Sequence, residues 1–185
     1  MEQYVFAEQV KERFRYLIDD HGFSVVDERY DPEAFGNSLV DFQSSNTVIR
    51  VLLDRGQVLI DIGPCPRSPD YWFGLASVVE FLAPEADEPA YIFPETWDSY
   101  YDKIDWQVVR LARVLRQYCA PVLRGEFSRW KEMAERRSKE AGDIYRALTG
   151  KDPIKITSEE LGEKIRKEEN RRRYRALTGK DLLKE

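Results

Sequence analysis

Histidine and cysteine, two residue types much used in nucleophilic and metal-dependent chemistry, are scarce in this chain of 185 residues, which has one histidine and two cysteines. His21 is the only histidine, so a Ser-His-Asp or Cys-His mechanism would have to use it. The residues around His21 form neither a nucleophile elbow nor a catalytic cysteine motif. Cys65 and Cys119 belong to no Cys-x-x-Cys pair, so the usual zinc ligands are missing. The sequence therefore predicts no metal and no cofactor, and it favours a protein that is not an enzyme.

Two aspartates are the remaining basis for catalysis. Asp54 and Asp61 flank a predicted hairpin, as carboxylates do in some metal-dependent nucleases. No lysine stands two residues after Asp61, where the nuclease pattern places its cation, and the turn "DRG" accounts for Asp54. A carboxylate-dependent enzyme is thus the third interpretation of the function, behind two kinds of binding protein.

The octapeptide "YRALTGKD" occurs twice, at residues 145–152 and 174–181. Its "TGKD" differs from a phosphate-binding loop, which needs an upstream glycine, a Ser or Thr after the lysine and a preceding strand. Each copy instead ends a predicted helix, with glycine as the C-terminal cap. Two matched helix ends predict two equivalent docking points for a protein partner, formed by Tyr145 and Arg146 in one copy and by Tyr174 and Arg175 in the other.

Residues 83–101 combine acidic and aromatic side chains without a helical or strand period, so we expect a long loop. Tyrosine and tryptophan are effective interface anchors, and surrounding acids steer a basic partner towards them. The alternative is a loop whose rings cover the core from outside. The residues predicted to bind a protein here are Glu85, Asp87, Glu88, Tyr91, Phe93, Trp97 and Tyr100.

The run "KIRKEENRRRYR" is the most basic stretch of the chain. On a helix, Lys164, Lys167, Arg171 and Arg175 lie on or near one face, and such a stripe can follow a phosphate backbone. Interleaved glutamates supply i, i+4 ion pairs, which favours a solvated helix instead. Nucleic-acid binding is therefore the second interpretation of the function.

Charge divides the chain into two predicted domains. Residues 1–123 hold 11 basic and 21 acidic side chains, a balance of −10, whereas residues 124–185 hold 18 basic and 13 acidic ones, a balance of +5. Aromatic residues are concentrated in the first part. The pattern predicts an acidic body at 1–123 and a basic helical tail at 124–185.

Hydrophobic periodicity predicts an α+β fold for the body. We expect an N-terminal helix at 4–20, four antiparallel strands in a meander at 23–62, a rigid loop at 63–69, and two packing helices that begin at 70 and 105. The tail is predicted to be a helical hairpin, with Thr157 and Glu160 forming the capping box of its second helix. Its first helix has a narrow apolar seam, Phe127, Trp130, Ala134, Arg137, Ala141, Ile144 and Leu148.

The seam needs a cover, which the body or a second chain could provide, so self-association through the tail is a further alternative. No stretch reaches the ~20 apolar residues of a membrane helix, and a charged N-terminus is unlike a secretion signal. The first interpretation is thus a cytoplasmic, non-catalytic binding protein of adaptor, inhibitor or immunity type.

Overall fold

The computed structural model describes residues 3–33, 36–86 and 99–150. It confirms the α+β class, with an antiparallel sheet of five strands and helices on either side of it in sequence. The chain forms two compact units, Met1–Ala134 and Glu135–Glu185. The predicted second tail helix, with Thr157 and Glu160, lies outside the described residues.

The N-terminal helix is present but consists of two pieces, α1 (Gln3–Arg13) and α2 (Arg15–Asp19). Phe14 lies at the junction, fully buried, with its ring 6.0 Å from that of Phe42 in the sheet. Gly22 follows α2 with a φ of 69°, as expected for a glycine that ends a helix in the left-handed region.

The predicted meander is confirmed by four consecutive strands and extended by a fifth. The strands are β1 (Ser24–Asp31), β2 (Asn37–Gln43), β3 (Thr47–Asp54), β4 (Gln57–Pro64) and β5 (Phe73–Gly74), in that spatial order. Arg55 and Gly56 both have positive φ, which is typical of a two-residue hairpin turn between β3 and β4. A bulge interrupts the pairing of β1 with β2 at Val26.

The prediction for residues 63–82 was wrong in two places. Gly63 and Pro64 continue β4, where Pro64 is the last residue of the strand and its missing N–H interrupts no inner ladder. Asp70 does not begin a helix, because residues Pro69–Tyr71 form a 3₁₀ turn and Phe73 then pairs with Ile62. Helix α3 (Leu75–Leu82) begins only after this pairing ends.

The start of the next helix was also predicted too late. Helix α4 spans Tyr100–Tyr118, so Tyr100 lies in its first turn rather than in the predicted loop. Ser99 caps it, since its Oγ accepts a hydrogen bond from the Asp102 N–H at 3.1 Å. One-turn helix α5 (Ala120–Leu123) follows, and then α6 (Trp130–Thr149).

Helices and strands share one hydrophobic core on a single face of the sheet, called here the inner face. The beginning of α6 belongs to this core, because Trp130 and Met133 are buried and the Trp130 ring stacks on Phe73 at 6.0 Å. The first unit thus includes residues 124–134, although the charge distribution of the sequence placed them in the predicted tail. The largest fully buried side chains are Phe14, Phe42, Leu17, Ile49, Ile62, Leu75 and Leu115.

A buried glutamine fixes the β3–β4 hairpin to α4. Oε1 of Gln107 accepts a hydrogen bond from the Val58 N–H at 2.9 Å, and its Nε2 donates to the carbonyls of Gly56 and Lys103 at 3.2 and 3.1 Å. These bonds satisfy backbone groups of the turn that the sheet ladder does not reach.

Candidate functional site

The second face of the sheet, called here the outer face, carries most of its charged residues. Alternation along β2 sends Val40 and Phe42 into the core and Asp41 to the opposite side. Cross-strand pairing then aligns Asp27, Asp41, Arg50 and Asp61 in one row over β1 to β4. The strand register thus brings together four charged side chains from four strands.

Asp41 is the centre of this row and is completely buried, with 0% of its surface exposed. Arg50 holds it in a two-point contact, Nε to Oδ1 and Nη2 to Oδ2, both at 2.9 Å. Nη2 of Arg67 donates to the same Oδ2 at 2.6 Å. The carboxylate raises the pKa of the Arg50 guanidinium through these hydrogen bonds. A buried charge is tolerated here because it is paired and hydrogen-bonded.

Arg67 reaches Asp41 because residues 65–72 fold back over the outer face. Gly63 permits the close approach: a Cβ at this position would lie 3.0 Å from the Tyr71 carbonyl oxygen and 3.3 Å from Trp72 Cδ2. The guanidinium carbons of Arg50 and Arg67 lie 5.3 and 5.8 Å from the centre of the Trp72 ring. Both cations are therefore in range of a cation–π interaction with one indole. We call Asp41, Arg50, Arg67 and Trp72 the arginine–tryptophan cluster.

Asp61 lies beside this cluster without belonging to its hydrogen bonds. It faces Arg50 across the β3–β4 pair, but no described residue donates a hydrogen bond to its carboxylate. Burial raises the pKa of Asp61, and the positive charge of Arg50 offsets only part of this effect. The folded chain therefore holds a carboxylate that it does not fully stabilise.

We expect Asp61→Asn to stabilise the protein slightly at pH 7. The raised pKa means that the fold disfavours the charged form, so removing the charge should add no more than about 0.5 kcal/mol after solvent screening. The gain should disappear near about pH 3, where the carboxyl group is protonated in folded and unfolded chains alike. Urea unfolding at both pH values measures this difference, with Glu12→Gln on α1 as the control. A loss of stability at pH 7 would contradict the expectation.

Three leucines form an apolar row next to the charged row. Leu39, Leu52 and Leu59 are cross-strand neighbours on β2, β3 and β4. Each remains partly exposed, and none belongs to the hydrophobic core cluster. The outer face therefore presents an apolar row, called here the leucine row, bordered by fixed charges.

The structure separates the two aspartates that suggested an enzyme. Asp54 ends β3 and accepts a hydrogen bond from Asn37 Nδ2 at 3.0 Å. Asp61 lies four residues along β4 from the Asp54 partner Gln57, a separation of about 13 Å at the usual strand rise. Within residues 3–33, 36–86 and 99–150, no three His, Cys, Asp or Glu side chains are grouped closely enough to hold a metal ion.

The histidine and the cysteines occupy ordinary structural positions. The His21 ring meets Tyr16 edge-on, with 6.3 Å between the ring centres. Cys119 is buried, and burial raises the pKa of its thiol to about 12. Such a thiol is protonated at neutral pH and is a poor nucleophile. Cys65 forms no disulfide with it.

Only two residues of the predicted acidic aromatic surface are described. Glu85 is exposed after α3. Tyr100 is about half exposed, and its ring lies over the β3–β4 turn, where a Cβ on Gly56 would be 3.0 Å away. The other five residues, Asp87, Glu88, Tyr91, Phe93 and Trp97, lie outside the described residues.

The first octapeptide copy ends α6 as predicted. Gly150 has a φ of 66°, and its N–H donates to the Arg146 carbonyl at 2.8 Å. Arg146 pairs with Asp143 at 2.8 Å, and Tyr145 is partly buried. The second copy, with Tyr174 and Arg175, and the basic residues Lys164, Lys167 and Arg171 lie outside the described part of the chain.

Helix α6 also leaves two large apolar side chains in solvent. Ile144 is 61% exposed and Leu148 is 81% exposed, the highest values among the large apolar side chains described. They are four residues apart and therefore lie on one side of the helix, next to Ala141. We call Ala141, Ile144 and Leu148 the α6 stripe.

Sequence reasoning missed the arginine–tryptophan cluster. The sequence did contain a signal for the pair of Asp41 and Arg50, because the short turn between β2 and β3 fixes a register in which these two residues face each other. No local signal indicated Arg67, which is 26 residues from Asp41 and reaches it only through the path of residues 65–72.

None of the described helices combines the length and the apolar character that a bilayer-spanning segment requires. Comparison with protein-family models, with curated proteins and with solved structures finds no match for this chain.

Proposed function

We propose that this chain is a non-catalytic binding protein that uses the α6 stripe to dock on another protein. The observation that carries the proposal is the exposure of Ile144 and Leu148, at 61% and 81%, on one side of a single helix. Large apolar side chains grouped on a surface are typical of interaction sites.

The spacing of the α6 stripe indicates how a partner would bind it. Residues 141, 144 and 148 follow the i, i+3, i+7 pattern by which a helix lies in an apolar groove. The arginines at 136 and 146 lie away from the stripe and are paired within the helix, Arg136 with Glu140 at 2.7 Å and Arg146 with Asp143 at 2.8 Å. The spacing of the stripe therefore points to a partner with an apolar groove.

The same ion pairs bear on the nucleic-acid alternative. A protein that binds the phosphates of a nucleic acid needs cationic side chains that can replace the counterions of those phosphates. Arg136 and Arg146 are already paired with acids on α6, and the stronger basic run at 164–175 lies outside the described residues. These two arginines therefore give nucleic-acid binding no support, and it stays a prediction.

We expect Ile144→Ser combined with Leu148→Ser to abolish partner capture while leaving the fold intact. Both side chains are mostly in solvent, so the two changes should alter the free energy of unfolding by less than about 1 kcal/mol. Affinity capture from the native host with quantitative mass spectrometry should show at least a tenfold loss of the bound protein. The purified partner should reproduce this loss in calorimetry.

The matched control is Lys139→Ser, an exposed residue on the opposite side of α6. It should capture as well as the unmodified chain. Equal capture by all three proteins would refute the proposal. Loss of a dimer on light scattering, without loss of any other protein, would show that the stripe serves self-association instead.

A further inference from the structure

The leucine row and Asp61 together form a second surface that the α6 stripe does not explain. Leu39, Leu52 and Leu59 span three neighbouring strands, about 10 Å across, which matches the width of one helix or of two strands. These leucines stand apart from the core and remain partly exposed. The row is large enough to receive one segment of another protein.

Asp61 gives this surface a preference for a positively charged ligand. Its carboxylate accepts no hydrogen bond from any described residue, although it is partly buried on the outer face. Arg50 cannot form the same two-point contact with Asp61, because its Nε and Nη2 already donate hydrogen bonds to Asp41. A ligand that donates a charged hydrogen bond would supply what the fold does not.

The arginine–tryptophan cluster borders the row with side chains held in place. Arg50 and Arg67 are pinned to the buried Asp41, and Trp72 lies against both of them. Fixed arginine and tryptophan side chains cost little entropy on binding, and they are the residue types most often found at energetic centres of interfaces. The outer face therefore has an ordered rim beside its apolar row.

We propose that the outer face of the sheet docks a basic segment of another protein, which places a lysine or arginine on Asp61 and apolar side chains on the leucine row. Charge complementarity identifies this occupant. Residues 1–123 carry a balance of −10, which attracts basic partners over a distance, and Asp61 provides the local acceptor.

The geometry also sets the pattern of the segment. Leu59 and Asp61 are alternate residues on the same side of β4, about 7 Å apart. An extended segment with a basic residue two positions from an apolar one reproduces this spacing. The probe is accordingly a synthetic peptide that presents one Lys and one Leu at alternate positions, the pair that matches Asp61 and Leu59, with threonine at the other positions. The control peptide has glutamate in place of lysine.

We expect a titration of the full ¹⁵N-labelled chain with the lysine peptide to shift the backbone amide signals of Leu52, Leu59 and Asp61. The glutamate peptide should bind at least fivefold more weakly. Asp61→Asn should weaken the lysine peptide by the same factor, whereas Glu12→Gln, an equal change of charge on α1, should not. Leu52→Thr should weaken both peptides.

Three results would overturn the proposal. Signal changes confined to residues away from β3 and β4 would place the peptide elsewhere on the acidic body. Equal binding of the two peptides would remove the role of Asp61. A dimer of the unmodified chain on light scattering that Leu52→Thr dissociates would assign the outer face to a second copy. The Ile144→Ser, Leu148→Ser variant should bind the peptide normally, so this test and that of the α6 stripe fail independently.

Discussion

Replacing Asp41 with alanine should lower the free energy of unfolding by about 3 kcal/mol, at the lower end of the range for breaking a buried ion pair. Asp41 is completely buried, and it forms ion pairs with both Arg50 and Arg67. Without it, two guanidiniums remain side by side over Trp72, and the more buried one, Arg50, loses both of its hydrogen bonds. Urea unfolding followed by circular dichroism measures the loss.

Arg67→Ala is the informative comparison for Asp41→Ala. The Arg67 side chain is 40% exposed and gives Asp41 only one of its three hydrogen bonds, so its removal should cost about 1 kcal/mol or less. Replacing the pair together, with Asp41→Leu and Arg50→Met, should recover part of the loss because no buried charge is then left alone. If Asp41→Ala and Arg67→Ala cost the same, Asp41 is not the centre of the cluster.

Gln107→Leu should destabilise the protein by a similar amount, about 3 kcal/mol. Leucine fills nearly the same space but leaves the Val58 N–H and the Gly56 carbonyl without partners at a buried position. Each orphaned buried group costs about 1–3 kcal/mol. Urea unfolding gives the total, and hydrogen exchange should show a faster rate at the Val58 amide.

The same substitution at Gln43 separates the hydrogen bonds of Gln107 from the general effect of replacing a glutamine. Gln43 is partly exposed at the end of β2, so Gln43→Leu should change the free energy of unfolding by about 0.5 kcal/mol or less. An equally small effect of Gln107→Leu would show that water satisfies the hairpin in its place.

Local pattern was enough to predict the four main strands and, in outline, helices α1, α3, α4 and α6, because each spans two or more periods of its apolar repeat. It was not enough for β5, since Phe73 and Gly74 are too few to show a strand period. The first turn of α4 did have a signal: Ser99 followed by Asp102 is a capping pattern, although the aromatic residues around it suggested a loop.

The candidate surfaces followed from the sequence only in part. The α6 stripe was visible as apolar residues at helical spacing, although their exposure depends on what the rest of the chain covers. The link between Asp41 and Arg67 has a different origin, because it requires residues 65–72 to cross the sheet. Contacts between distant parts of a chain are set by tertiary packing, which no short stretch of sequence records.

The bulge at Val26 determines how other strands can approach this sheet. β1 is an edge strand of eight residues and would be a template for intermolecular pairing if it were flat and apolar. The unpaired Val26 twists it, and the charged Asp27, Glu28 and Arg29 follow at once. Both devices oppose growth of the sheet by addition of a foreign strand. The protein can therefore carry a partly apolar outer face without this edge seeding aggregation.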